Sequence, residues 1–311
     1  MKALLGEKIL IATSSFAAMD KEPMNMLINA GCEIIDNPYK RRLTKKELKT
    51  LLALGITGIV AGLEPLDREV MSESSLKVIS RCGSGLSSVD LEVAKELGIA
   101  VCYTPDAPVS SVAELTLGAM LSLSRMIGLM NNELHQDRWS KRIGSLLEGK
   151  TVAIIGFGRI GSRLSELLAP FKVKILVVDP FIKNKSKIKV VSLKEAFAQA
   201  DIISIHSGGE ECLIGKDEFR MMKPGTLLLN AARGSIVDEE ALIEALEEER
   251  IVGAWLDVFK EEPYKGRLTE FEQVILTPHV GSYTRECRKR METETVENLI
   301  EAFKRIKKSK E

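Results

Sequence analysis

TVAIIGFGRIGSRLSELLAPF, residues 151–171, is the stretch that decides how this chain folds. TVAII reads as a strand, GFGRIG (Gly156 to Gly161) as a glycine-rich turn, and RIGSRLSELLAPF as an amphipathic helix. A GxGxxG alone is a weak signal, because glycines recur in turns. Between a strand and a helix it has a mechanical reading. Gly156 makes the tight turn, Gly158 lets the backbone approach a pyrophosphate, and Gly161 permits close helix–strand packing. The free N–H groups and the dipole at the helix start favour negative charge. The next strand-like run, KVKILVVD, ends in Asp179, eighteen residues beyond Gly161. An acid there accepts hydrogen bonds from both ribose hydroxyls and repels a 2′-phosphate, so NAD is expected over NADP. Pro180, Phe181 and Ile182 follow, with no arginine to hold that phosphate, although Lys183 and Lys185 stand nearby.

Working outward, the same alternation covers most of the chain. After TVAIIGF and KVKILVVD come DIISIH, TLLLN, IVGAWLDV and VILT, six strand candidates with helices between the earlier ones. Before residue 104, strand candidates KILIAT, CEIID, GITGIVAG, LKVISRCG and IAVCYT alternate with helical stretches such as LTKKELKTLLALG and SSVDLEVAKELG. Thr44 and Glu47 form a capping box at the start of the first of those helices. Such alternation implies parallel strands joined by helical crossovers. TPDAPVSS, near residue 104, is a loop, and Ser111 to Glu114 reads as another capping box. The helix VAELTLGAMLSLSRMIGLM after it is apolar nearly all round, so it is expected to be buried between domains or subunits. Residues 131 to 149 are polar again. The final helix, TRECRKRMETETVENLIEAFKRI, is expected to return and pack on the first half.

Composition narrows the partners. In 311 residues, Lys plus Arg and Asp plus Glu are both 44, which argues against a nucleic-acid or anionic-membrane binder. The basic stretches Tyr39–Arg42 and the C-terminal KRIKKSKE are short and read as solvated surface. Five cysteines, at 32, 82, 102, 212 and 287, show no CxxC or Cys/His ligand spacing. No zinc or other metal site is expected, and a reducing cytoplasm fits best. The N-terminus carries a charge inside its apolar run and reads as a strand instead of a signal peptide.

Three polar residues stand at the ends of later strands: Arg233 after TLLLNAA, Glu262 after IVGAWLDV and its loop, and His279 within LTPHVGS. In a doubly wound sheet, ligands collect at the carboxyl edge of the strands, so these three can converge there. His206, ending DIISIH, reads as lining the same cleft. His135 reads as surface or interface.

GFGRIG, MKPGTLLLNAARGSIVDEEAL, LDVFKEEP and LTPHVGS together make the sequence resemble the D-isomer-specific 2-hydroxyacid dehydrogenases, in particular their 3-phosphoglycerate dehydrogenase-like branch. The likeness runs over most of the chain and is densest between about 104 and 285. It implies an α/β protein of two Rossmann-like, doubly wound parallel-sheet domains. A cofactor domain, residues 104–282, is inserted into a flavodoxin-like substrate domain made of 1–103 and 283–311. It also implies NAD as cofactor, a small 2-keto or 2-hydroxy acid as substrate, and a homodimer. The family's catalytic arginine falls on Arg233, its acid on Glu262 and its acid–base histidine on His279. Cofactor contacts fall on Gly156, Gly158, Arg159, Ile160, Gly161, Asp179, His206, Ala231, Ala232, Arg233, His279, Gly281 and Ser282. Asp257 takes the contact to the nicotinamide carboxamide.

The chemistry explains these residue types. Reduction of a 2-keto acid puts a hydride on the carbonyl carbon and a proton on its oxygen. Histidine suits the proton step because it titrates near neutrality. A neighbouring carboxylate favours the imidazolium and orients the ring, a part that falls to Glu262. Arginine offers a planar fork to the substrate carboxylate.

In RCGSGLSSVD (Arg81 to Asp90), Ser84 and Gly85 take the positions whose backbone amides bind that carboxylate, together with Arg233 and His279. Here the family's usual Asp-Asn pair is Ser87-Ser88, which puts the loop's anchoring in question. Phosphoglycerate dehydrogenases carry an arginine in the loop that here reads VAGLEPL, with Glu64. A phosphorylated substrate would lack that partner unless Lys40, Arg41 or Arg42 replaced it. The chain ends soon after its last helix, so the regulatory C-terminal domain of some phosphoglycerate dehydrogenases, and feedback by serine through it, are not expected. Two other functions share the architecture. One is an NAD-sensing, non-enzymatic corepressor; the other is phosphite-type oxidation. Glu262 argues against the formate-oxidising variant, which pairs its histidine with glutamine.

Overall fold

The computed structural model describes residues 3–182, 188–209 and 211–309; Lys183 and Lys185 lie outside them. The chain divides into two compact units, Met1–Pro108 with Ser282–Glu311, and Val109–Gly281.

In the first unit the elements run β1 (Lys8–Ile11), α1 (Glu22–Ala30), β2 (Glu33–Asp36), α2 (Lys45–Leu52), β3 (Gly58–Ala61), α3 (Arg68–Ser72), β4 (Val78–Arg81), α4 (Leu91–Glu96) and β5 (Ala100–Tyr103). Among the described residues its sheet has five strands in the order β2-β1-β3-β4-β5, all parallel, which is the flavodoxin-like arrangement. The capping box at Thr44 and Glu47 is present. The candidate SSVDLEVAKELG starts its helix later, at Leu91, because the Asp90 side chain accepts from the Val93 N–H.

The second unit runs α5 (Val109–Ser124), α6 (Ile127–His135), β6 (Thr151–Ile155), α7 (Arg159–Leu168), β7 (Lys174–Val178), β8 (Lys189–Val190), α8 (Leu193–Gln199), β9 (Ile202–Ile205), α9 (Lys216–Met221), β10 (Thr226–Asn230), α10 (Glu239–Glu247), β11 (Ile251–Leu256) and β12 (Val274–Leu276). Its strand order is β12-β11-β10-β9-β6-β7-β8, again parallel throughout, with the order reversing direction between β6 and β9. All six strand candidates are present. The two-residue β8 is an addition that spacing could not announce.

Two expectations need correction. Ser111 does not cap a helix, because α5 begins at Val109 and Ser111 lies inside it; its hydroxyl donates to the Gly281 carbonyl at 2.6 Å. The apolar run after it is not one helix either. Met126 adopts φ +51, and α5 and α6 meet at a 66° bend. A left-handed residue cannot continue a right-handed helix. The buried face of α5 packs on α7, β10 and β11 and contributes Ala113, Met120 and Leu123 to the core around Trp255. No single helix among the described residues is long and apolar enough to cross a membrane.

The closing helix, α11 (Arg285–Lys308), packs on β3, β4, β5 and α1 of the first unit. Ser80 donates to the Thr295 carbonyl at 2.7 Å, and Phe303, 1% exposed, fills the core beside Ile9 and Leu299. Phe303→Ala should therefore destabilise the first unit by about 3–5 kcal/mol, read from urea unfolding. A loss below about 1 kcal/mol would mean the helix is peripheral to the unit's stability.

Candidate active site

Because β6, β9, β10, β11 and β12 are parallel, their carboxyl ends share one edge of the sheet. The glycine turn sits on β6. Gly156 has φ +88, and a Cβ there would strike the backbone of Ser207 after β9. A Cβ on Gly161 would strike the Gly156 carbonyl oxygen. At Gly158, the residue preceding α7, a Cβ would meet nothing within 4 Å. Two glycines therefore hold the helix against the turn, and the third faces open space.

This edge also carries polar atoms without partners. His206 Nε2 lies 2.8 Å from Ser204 Oγ, while its Nδ1 and the Ser207 Oγ are buried without a hydrogen-bond partner among the described residues. Asp179, after β7, accepts from the Phe157 N–H at 2.8 Å with one oxygen and from the Phe181 N–H at 2.8 Å with the other. An exposed N-terminus of α7, an acid beyond β7 and orphaned polar atoms beyond β9 fit a dinucleotide laid across the reversal point.

The Arg233 segment follows β10. Asn230, fully buried, shapes it from both sides: its Oδ1 accepts from Ala232 N–H at 3.0 Å and its Nδ2 donates to the Arg233 carbonyl at 2.9 Å. Ala231 and Arg233 are half-buried, and Ala232 is buried. Arg233 Nη1 donates to the Ala232 carbonyl at 2.7 Å. At Gly234 a Cβ would collide with the backbone of Phe259 and Lys260, so the arginine loop lies directly on the loop that bears Glu262.

Glu262 and His279 meet. His279 Nδ1 lies 3.0 Å from Glu262 Oε2 and 3.1 Å from Oε1, and the Phe259 N–H also donates to Oε1 at 3.1 Å. Both side chains are partly exposed. His279 itself has φ +54, an uncommon backbone conformation for a residue that is not glycine. Asp257, 2% exposed, accounts for it. Its carboxylate accepts from the Thr277 hydroxyl at 2.6 Å, the Val280 N–H at 2.9 Å and the Gly281 N–H at 2.8 Å. Those three donors bracket the histidine on both sides.

Of the remaining expected residues, Gly158 and Arg159 are exposed and Ile160 is half-buried in the first turn of α7. Ser84, Gly85 and Ser282 belong to the first unit. There the Arg81–Asp90 loop is anchored without the Asp-Asn pair. Thr104 Oγ1 accepts from the Gly83 N–H at 3.0 Å, and the Leu66 N–H donates to the Ser88 carbonyl at 2.7 Å. Ser84 is exposed and Gly85 half-buried. Spacing alone missed Asn230, Gly234 and Thr277, although each lies within or beside a motif already quoted. Among the described residues no cluster of His, Cys, Asp and Glu could hold a metal ion.

Burial pushes the His206 imidazole down to about 4 from 6.5. The folded state then binds fewer protons than the unfolded one, so this group's contribution to stability is lost as pH falls from about 6.5 towards 4. Urea midpoints across that window should drop less in His206→Asn than in the parent. Equal slopes would show that the ring titrates freely in the folded chain.

The family model for the NAD-binding domain of D-isomer-specific 2-hydroxyacid dehydrogenases matches residues 117–281. A hydroxypyruvate reductase of Thermotoga maritima is 34% identical over 294 residues, covering 91% of this chain and 95% of the relative. A D-3-phosphoglycerate dehydrogenase of Methanocaldococcus jannaschii is 36% identical over 269 residues, which is 83% of this chain but only 51% of that protein. This chain therefore spans about half the length of that relative. A crystal structure of a glyoxylate reductase from Paecilomyes thermophila matches with a TM-score of 0.85 at 26% identity, covering 96% of this chain and 95% of that one.

Proposed function

The chain belongs to the D-isomer-specific 2-hydroxyacid dehydrogenases, and from that premise we propose that this NAD-dependent oxidoreductase interconverts a short, unphosphorylated 2-keto acid, hydroxypyruvate or glyoxylate, with its reduced 2-hydroxy acid. The observation that carries the reading is the hydrogen bond between His279 Nδ1 and Glu262 at 3.0 Å on the carboxyl edge of the cofactor sheet. With Nδ1 committed to the carboxylate, Nε2 is the atom left to serve a substrate; it makes no hydrogen bond among the described residues. Bound NADH supplies the hydride to the carbonyl carbon. His279 Nε2 gives its proton to the carbonyl oxygen, which becomes the hydroxyl, and Glu262 stabilises the imidazolium before transfer. Arg233 holds the substrate carboxylate. On the cofactor side, the first turn of α7 would hold the pyrophosphate. Asp179 would take the ribose hydroxyls, and His206 with Ala231, Ala232 and Gly281 would line the nicotinamide end.

Glu64 supports an unphosphorylated substrate. It is 2% exposed, accepts from the Gly62 N–H at 2.6 Å, and sits in the loop stitched to the Arg81–Asp90 loop at Leu66. A carboxylate there repels a phosphate dianion. Of the alternative cations Lys40, Arg41 and Arg42, Arg41 is engaged by Glu47 at 2.6 Å. The relative covered nearly end to end is named for hydroxypyruvate, a further support.

A homodimer accords with the family, and the exposed apolar side chains Trp139, Ile143 and Leu146 at 79%, 95% and 68% supply a surface for it. We place the enzyme in the cytoplasm, on its odd, scattered cysteines.

Steady-state assays with NADH and a panel of hydroxypyruvate, glyoxylate, phosphohydroxypyruvate and 2-ketoglutarate test the proposal. The first two should exceed phosphohydroxypyruvate in kcat/KM by at least about tenfold, the scale of one lost charge contact. The reverse preference would overturn the substrate, and silence across the panel with NADH binding intact would overturn the activity. His279→Ala should lower kcat by about 10²–10⁴-fold with NADH affinity nearly unchanged. Equal loss of both would make the histidine structural.

A further inference from the structure

Thr277 is the point from which the histidine turn is built. Its N–H donates to the Leu256 carbonyl at 3.1 Å, and its carbonyl accepts from the His279 N–H at 2.9 Å, across Pro278. Its hydroxyl donates to Asp257 Oδ1 at 2.6 Å and accepts from the Trp255 indole N–H at 3.0 Å. An indole nitrogen can only donate, so the threonine oxygen must be its acceptor and the threonine proton must point to the carboxylate. The rotor is thereby set.

Asp257 needs that proton. No lysine, arginine or histidine forms an ion pair with it among the described residues; its partners are Thr277, Val280 and Gly281. A buried carboxylate with three neutral donors loses a large share of its stabilisation when one is removed. The other two donors are the N–H groups immediately after His279. A disturbance of Asp257 therefore passes to a backbone held at φ +54, and from there to the ring that faces Glu262.

We propose that Thr277 is a positioning residue for proton transfer: its hydroxyl, oriented by Trp255, completes the shell of Asp257 and so holds the His279 imidazole against Glu262. This rests on the reading of His279 given above.

The test compares Thr277→Val, Thr277→Ser and Trp255→Phe in the full chain, with NADH and whichever keto acid the parent reduces. Valine keeps the shape and loses the hydroxyl. Thr277→Val should lower kcat roughly tenfold or more, the scale of a slightly misplaced catalytic group, with NADH affinity nearly unchanged. Thr277→Ser should recover most of that loss. Trp255→Phe, which frees the rotor without removing it, should fall between. Parental kcat in Thr277→Val, or a serine variant as slow as the valine one, would overturn the proposal. So would equal loss of NADH binding.

A second readout needs no substrate. The Nδ1 proton of His279, one of three histidines in the chain, should give a downfield NMR resonance. It is assigned by its loss in His279→Ala, and it should weaken in Thr277→Val and return in Thr277→Ser. If the parent reduces no keto acid but the resonance follows this pattern, the proposed activity fails and the positioning role stands. A resonance unchanged in Thr277→Val removes the positioning role whatever the activity.

Discussion

Backbone pairing among five adjacent parallel strands is the constraint from which the candidate site hangs. Asn230 of β10 is in register with Leu256 of β11, and Leu256 with Leu276 of β12. The last rungs of three strands are thus level, and the segments bearing Arg233, Glu262 and His279 all leave from that line. Neighbouring strands stand about 4.8 Å apart, so the three departure points span about 10 Å, the size of a small substrate. A register slip of one residue would turn every side chain on a strand to the opposite face.

The strands only deliver the loops; buried polar groups and glycines then shape them. Asn230 spends both ends of its amide on the arginine segment, and Asp257 spends its carboxylate on the histidine segment. Each is buried, so each would be costly if its partners were lost. Gly234 removes the side chain that would hold the arginine and glutamate loops apart. These supporting residues fix the loops in place before anything binds.

Much of this was legible in one dimension because aliphatic runs bounded by turn residues are a local signal. All eleven strand candidates are present, and the box at Thr44 and Glu47 forms as its spacing required. The failures have a common origin. Ser111 has the composition of a cap, yet its hydroxyl answers to Gly281, 170 residues away. The break at Met126 carries no glycine or proline to announce it. Likewise GFGRIG, Arg233, Glu262 and His279 stand out as motifs. Thr277 and Asn230 acquire their meaning only from strands that are neighbours in space. Asp257, to which the family resemblance gives the nicotinamide carboxamide, also accepts three hydrogen bonds from the histidine turn, a second part that spacing does not announce.

The bond from the Phe157 amide to Asp179 has a consequence for how cofactor preference could change. The carboxylate proposed to discriminate against a 2′-phosphate is also a strut of the glycine turn. Replacing it to admit the phosphorylated dinucleotide would slacken the cradle for the two phosphates that both dinucleotides share. A lineage drifting towards the other coenzyme would need a second change to restore that strut. Until it arrived, grip on either coenzyme would suffer, so a preference set by Asp179 would be protected by architecture as well as by charge.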